Sequence, residues 1–117
     1  MTRVLALLAL SLAQQDGTIQ VERAAQGFRF TEGPAWSKDG YLLFTDIPSN
    51  RIMKFTPGKG TEVFRENSGG ANGLAFDDRG RLIACEGTAR RVTRTDAKGK
   101  VEVLAEKFDG KPLNAPN

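Results

Sequence analysis

Apolar positions along the chain follow two patterns. From Val4 to Leu12 they form one nearly unbroken run; beyond Ala13 they fall in short clusters, each closed by glycine, proline or asparagine. Short clusters bounded by such turn-formers predict β-strands. The first set reads as strands at Pro34–Ser37, Tyr41–Thr45, Arg51–Phe55 and Thr61–Arg65. Turns at Lys38-Asp39-Gly40, Pro48-Ser49-Asn50 and Pro57-Gly58-Lys59-Gly60 separate them. An amphipathic helix needs ten or more periodic residues without glycine. Thirteen glycines and five prolines argue against that, so the chain is expected to be all-β.

The pattern then repeats. Glu32-Gly33-Pro34-Ala35-Trp36 aligns with Asn72-Gly73-Leu74-Ala75-Phe76, and Gly40-Tyr41-Leu42 with Gly80-Arg81-Leu82, at a constant offset of 40 residues. The same offset pairs Asp46 with Glu86, Arg51 with Arg91, Lys54 with Arg94, and Glu62-Val63 with Glu102-Val103. A period near 40 built from four short strands is the spacing of a β-propeller, one blade per repeat. Helical solenoids share the period but not the glycine-broken strands. Stepping back one period, Thr18 to Ala24 reads as the outer strand of a further blade, of the kind that closes a propeller ring. Stepping forward, Asn117 opens a third copy, with Phe108-Asp109-Gly110-Lys111-Pro112 filling extra length as a loop. The expected content is two blades, one closing strand and the entry to a third. Blades bury their faces only against neighbours, so the chain reads as the N-terminal part of a longer propeller, residues 14–117.

The apolar run at the N-terminus belongs to none of this. Arg3 ahead of Val4–Leu12, with small residues at Ser11 and Ala13, has the order of a secretory signal peptide over residues 1–13 and is too short to span a membrane. The mature chain is thus expected in the periplasm or outside the cell. The formal charge of +3 is too small to argue for nucleic acid. The densest basic stretch, Arg90, Arg91, Arg94, Lys98 and Lys100, has no interleaved aromatic platform and reads as a solvated strand edge. Cys85 is the single cysteine and there is no histidine, which excludes an internal disulfide, a zinc cluster and a Ser-His-Asp triad within these residues.

Candidate chemistry lies at the blade starts, because inner strands line a propeller's central channel. Glu32, Asn72 and Asn117 occupy equivalent starts: one carboxylate and two amides, all offering hard oxygen donors. Such a set suits calcium or magnesium. It equally suits side chains that satisfy backbone groups at the turn into each strand, and the residues alone leave both readings open. Asn72 and Glu86 are candidates for contacting a ligand in the channel, against a role in channel packing. Asp46, opposite Glu86 in the repeat, reads as a bridge between strands, and Trp36 and Phe76 read as packing between blades.

The segment Phe30-Thr31-Glu32-Gly33-Pro34-Ala35-Trp36 resembles the opening motif of the SMP-30/gluconolactonase family. Ala71-Asn72-Gly73-Leu74-Ala75-Phe76, Gly80 to Glu86 and Arg90 to Arg94 are similar to the family's second blade, and Leu113-Asn114-Ala115-Pro116-Asn117 to its third-blade entry. The resemblance implies a six-bladed propeller with a divalent cation, usually calcium, in its channel. It makes Glu32 a metal ligand and places Asn117 at the metal and substrate site. Further ligands, and the aspartate that serves as general base, would come from later blades. The implied activity is hydrolysis of a small-molecule sugar lactone, its carbonyl polarised by the cation and attacked by activated water, with these residues alone expected to be inactive. Related propellers that cleave organophosphates or other esters, and non-catalytic binding propellers, remain the alternatives.

Overall fold

The computed structural model of the chain describes Gly17 and residues 19–117; the expected leader over residues 1–13 lies outside the described residues. Eight strands form two antiparallel sheets of four. The first holds β1 (Thr31–Ser37), β2 (Tyr41–Asp46), β3 (Arg51–Thr56) and β4 (Gly60–Arg65). The second holds β5 (Ala71–Phe76), β6 (Leu82–Glu86), β7 (Arg91–Thr95) and β8 (Val101–Ala105). Strands lie side by side in chain order in each sheet, which is the meander of a propeller blade.

The offset of 40 survives at the level of backbone pairing. Thr31 faces Asp46 as Ala71 faces Glu86, and Trp36 faces Leu42 as Phe76 faces Leu82. Asp46 faces Arg51 as Glu86 faces Arg91. Irregularities recur too, with the first strand pair interrupted between Glu32 and Ala35 and again between Ala71 and Leu74. A bulge at that point bends the strand just where the candidate residues sit. The ion pairs Lys54–Glu62 and Arg94–Glu102 repeat across the outer strand pairs.

Packing follows from alternation of side chains along a strand. Tyr41, Leu43 and Ile52 point from the first sheet toward the second, where they meet Ala71, Leu74, Phe76, Leu82 and Ala84. Leu43, Ile52, Ala71 and Ala84 are fully buried. This shared core, not either sheet alone, is what holds the two blades together. Phe76 packs between the blades as expected, edge-on to Tyr41 with ring centroids 6.2 Å apart. Trp36, in the same repeat slot, lies on the opposite face of the first sheet and is 59% exposed. On that face Phe44 meets Phe28, from the segment that enters the sheet, at 4.9 Å.

Two local expectations change. Residues 19–24 form no strand, and Ile19 and Val21 are 88% and 94% exposed. A strand persists only where another offers a hydrogen-bonding edge, and the partner expected for this one belongs to a closing blade that is neither of the two described sheets. The stretch expected as a loop is instead a small hairpin, β9 (Lys107–Phe108) paired with β10 (Lys111–Pro112). Asp109 and Gly110 turn it with φ of 50° and 72°, the left-handed pair that a two-residue hairpin requires.

Candidate metal and substrate site

The blade starts are brought together by backbone contact. At Gly33, φ is +53° and an added Cβ would lie 2.0 Å from the Asn72 carbonyl oxygen. At Gly73 an added Cβ would lie 3.1 Å from the Asn117 carbonyl carbon and 3.7 Å from its Oδ1. Gly33 therefore lets Asn72 approach as no larger residue could, and Gly73 lets Asn117 pack closely against its backbone. Glu32, Asn72 and Asn117 consequently follow one another along one end of the inner strands.

Each entry is also held from behind. Asp46, at the end of β2, accepts from the backbone N–H of Arg29 at 3.2 Å and of Phe30 at 3.0 Å, and from the Ser49 hydroxyl at 2.7 Å. Desolvation by burial acts to raise its pKa, but these hydrogen bonds outweigh it, and its carboxyl stays below the ordinary value. The segment leading to Glu32 is thereby fixed. Asn50, left-handed at φ 55°, uses its Oδ1 to accept from the N–H of Gly70 at 2.9 Å and the Ser68 hydroxyl at 3.2 Å, just ahead of Asn72. Arg90, one period on and also left-handed at φ 56°, donates to the Leu113 carbonyl, just ahead of Asn117. Asp46 has the structural role expected of it, although it ties the entering segment and the following turn and not two strands. Asn50 and Arg90 escaped the sequence reading, although the Pro-Ser-Asn turn pointed to the left-handed position.

The four candidates differ in what they offer. Glu32 is exposed, its carboxylate forming only a 3.4 Å contact with its neighbour's N–H and no ion pair among the described residues. Asn72 is fixed through its carbonyl, which accepts from Thr45 Oγ1 at 3.1 Å, while its Oδ1 is buried and finds no partner. Asn117 abuts Gly73. Glu86 is a different matter. It is fully buried, with Oε1 accepting from Arg65 at 2.6 Å and Thr93 at 2.8 Å, and Oε2 from Arg91 at 2.6 Å. Burial acts to raise its pKa, and the hydrogen bonds from Arg91, Arg65 and Thr93 overcome it and hold the carboxyl low. A carboxylate so enclosed does not reach a sugar, and the substrate-contact reading of Glu86 gives way to a cross-blade ion pair, since Arg65 belongs to the first blade.

The donor set fits a hard cation. An unpartnered buried amide oxygen is the group that a cation satisfies, and the exposed Glu32 carboxylate, one residue from the Gly33–Asn72 contact, offers charge. Among the described residues no group of three or more acidic, histidine or cysteine side chains gathers, at the blade starts or elsewhere.

Two adjoining four-stranded meanders whose inner strands converge at one end define this chain as part of a β-propeller. It belongs to the SMP-30/Gluconolactonase/LRE-like family, whose model matches residues 30–117. A gluconolactonase of Zymomonas mobilis is 29% identical over 87% of this chain and 33% of its own length. The solved structure of a gluconolactonase from Xanthomonas campestris is 33% identical with a TM-score of 0.73, covering 77% of this chain and 31% of that one. An X-ray structure of a protein assigned to the gluconolactonases is 34% identical with a TM-score of 0.77, covering 82% of this chain and 34% of that one. The chain thus spans about a third of the length of these relatives.

Proposed function

We propose that this chain supplies the first metal- and substrate-binding blades of a calcium-dependent lactone hydrolase acting on sugar lactones. The observation that carries the reading is the close approach of successive blade entries, Gly33 to Asn72 and Gly73 to Asn117, with the Asn72 Oδ1 buried and unpartnered. Gluconolactonases among the relatives favour a lactone as substrate.

Glu32 and Asn117 would hold the cation, with the Asn72 amide oxygen facing the cation or a substrate hydroxyl. A bound cation would polarise an ester carbonyl, the Lewis-acid role that makes ring opening by water fast at neutral pH. Amide donors leave that charge less neutralised than carboxylates would, which favours polarisation. Glu32 brings the single negative charge in this part of the site. Asn117 and Asn72, each with one amide oxygen and one N–H₂, can orient sugar hydroxyls as acceptor and donor. Asp46, Asn50 and Arg90 keep the three entries in place, so that binding does not have to order them. A general base, carried on a later blade as the resemblance implies, would complete the site, and a leader over residues 1–13 would deliver the protein out of the cytoplasm.

The test is hydrolysis of D-glucono-δ-lactone by the complete protein, followed by proton release and corrected for spontaneous opening. Hydrolysis that Asn117→Ala reduces at least tenfold supports the reading. No hydrolysis above background by a folded protein refutes it.

A further inference from the structure

A second polar feature lies away from the blade starts. The two sheets diverge toward the outer circumference and leave a cavity of about 450 Å³ between them. It opens beside Gly80 and the turn Asp96–Gly99, at the strand ends opposite Glu32 and Asn72. Both walls come from this chain, so the cavity does not depend on any other blade.

Its walls combine apolar side chains with two residues that each carry an unpartnered, buried polar atom. Tyr41, Phe64, Phe76 and Leu82 line it. So do Arg65 and Thr95, and in both a buried polar atom finds no hydrogen-bond partner: Nη1 of Arg65 and Oγ1 of Thr95. Thr95 is 6% exposed. Buried polar groups in folded proteins nearly always find partners, so two orphans lining one cavity mark a place for a ligand oxygen. The repeat sharpens the point, because the slot of Thr95 in the first blade is Phe55. In the first blade the slot holds a phenyl ring; here it holds a hydroxyl without a hydrogen-bond partner.

We infer that this cavity is a second ligand site, taking a small organic monoanion with a flat apolar body, such as an arylalkanoate. The carboxylate accepts from Arg65 Nη1 and Thr95 Oγ1, and the apolar body lies against Tyr41, Phe64 and Phe76. A monoanion is favoured over a phosphate dianion because Arg65 already shares its charge with Glu86, 2.6 Å from Nη2. Lys98 lines the mouth, and the Asp96 carboxylate beside it is engaged by the backbone N–H groups of Lys98 and Lys100, both at 2.9 Å. The site stands apart from the proposed lactone site and does not rest on it.

The experiment titrates the purified protein, as its gene encodes it, with 3-phenylpropanoate and with the neutral 3-phenylpropan-1-ol by calorimetry. The acid is expected to bind at least tenfold more tightly than the alcohol. Thr95→Val, which keeps the shape and removes the hydroxyl, should weaken the acid about fivefold, as for one lost hydrogen bond, with lactone hydrolysis unchanged. Lys98→Ala, on the exposed turn, should weaken the acid and leave the alcohol untouched. Equal affinity for acid and alcohol, no binding by the folded protein up to about 10 mM, or indifference of the acid to Thr95→Val would each overturn the inference, the last by showing that the hydroxyl serves a buried water.

Discussion

Replacing Glu86 with glutamine removes one charge from the most enclosed ionic cluster among the described residues. The wild-type carboxylate is fully buried and takes Arg65, Arg91 and Thr93. Arg65 is only 14% exposed, so losing its counter-charge leaves a nearly buried cation unpaired, which costs about 3 kcal/mol at the lower end for broken buried pairs. Arg91 is 35% exposed and solvent screens it, adding no more than about 0.5 kcal/mol. The glutamine carbonyl still accepts from one donor, so a total near 3 kcal/mol is expected, against a whole-domain stability of about 5–15 kcal/mol. Because Arg65 lies in the first blade and Glu86 in the second, that loss weakens the junction between them. Urea denaturation followed by far-UV circular dichroism measures it. The folded-state pKa of Glu86 is depressed, so its stabilisation is present above the unfolded carboxylate pKa and is lost as pH falls through the folded value. Wild-type protein should therefore lose stability on acidification more steeply than Glu86→Gln, and the two should converge at low pH. A Glu86→Gln protein within about 0.5 kcal/mol of wild type at pH 7, or one with an unchanged acid slope, would refute this assignment of the ion pair.

Three further outcomes follow from the same contacts. Gly33→Ala should destabilise by more than about 2 kcal/mol and abolish lactone hydrolysis, since the methyl would overlap the Asn72 carbonyl at a left-handed position; thermal melting and the hydrolysis assay read both effects. Leu43→Ala, emptying the fully buried centre of the inter-blade core, should cost about 2–5 kcal/mol in urea while leaving KM for the lactone within error. The 117 residues by themselves should bind calcium weakly or not at all, because they carry part of the ligand set; tight one-to-one binding by calorimetry would contradict that.

Backbone organisation was readable from the sequence because it depends on local chemistry. Glycine-closed clusters gave the strands, and a constant offset of 40 gave both the blades and the register that sets Asp46 against Arg51 and Glu86 against Arg91. Side-chain partnerships were less legible, since equal slots meet unequal surroundings. Asp46 receives two backbone N–H groups from the incoming segment, whereas Glu86 receives a guanidinium from the neighbouring blade. Nothing in the repeat distinguishes them, because the partner Arg65 is distant in sequence and its own counterpart is Ala105. The same holds for Trp36 and Phe76, one exposed and one packed on Tyr41. The strand expected at Thr18–Ala24 matched the repeat in composition, but a strand also needs its own partner, here the closing blade expected beyond the two described sheets. Within the site, repeat position identified Glu32, Asn72 and Asn117, while Asn50 showed only as the end of a turn and Arg90 carried no pattern that marks its bond to Leu113.

The most direct test of the account is calcium-dependent hydrolysis of D-glucono-δ-lactone by the complete protein, stripped with a chelator and titrated back with calcium, beside Glu32→Gln. The account predicts activity lost on stripping and restored by calcium, with Glu32→Gln requiring at least tenfold more calcium for half-restoration. Activity that survives stripping, or a Glu32→Gln protein with the wild-type calcium requirement, would contradict the assignment of a cation to the converging blade starts.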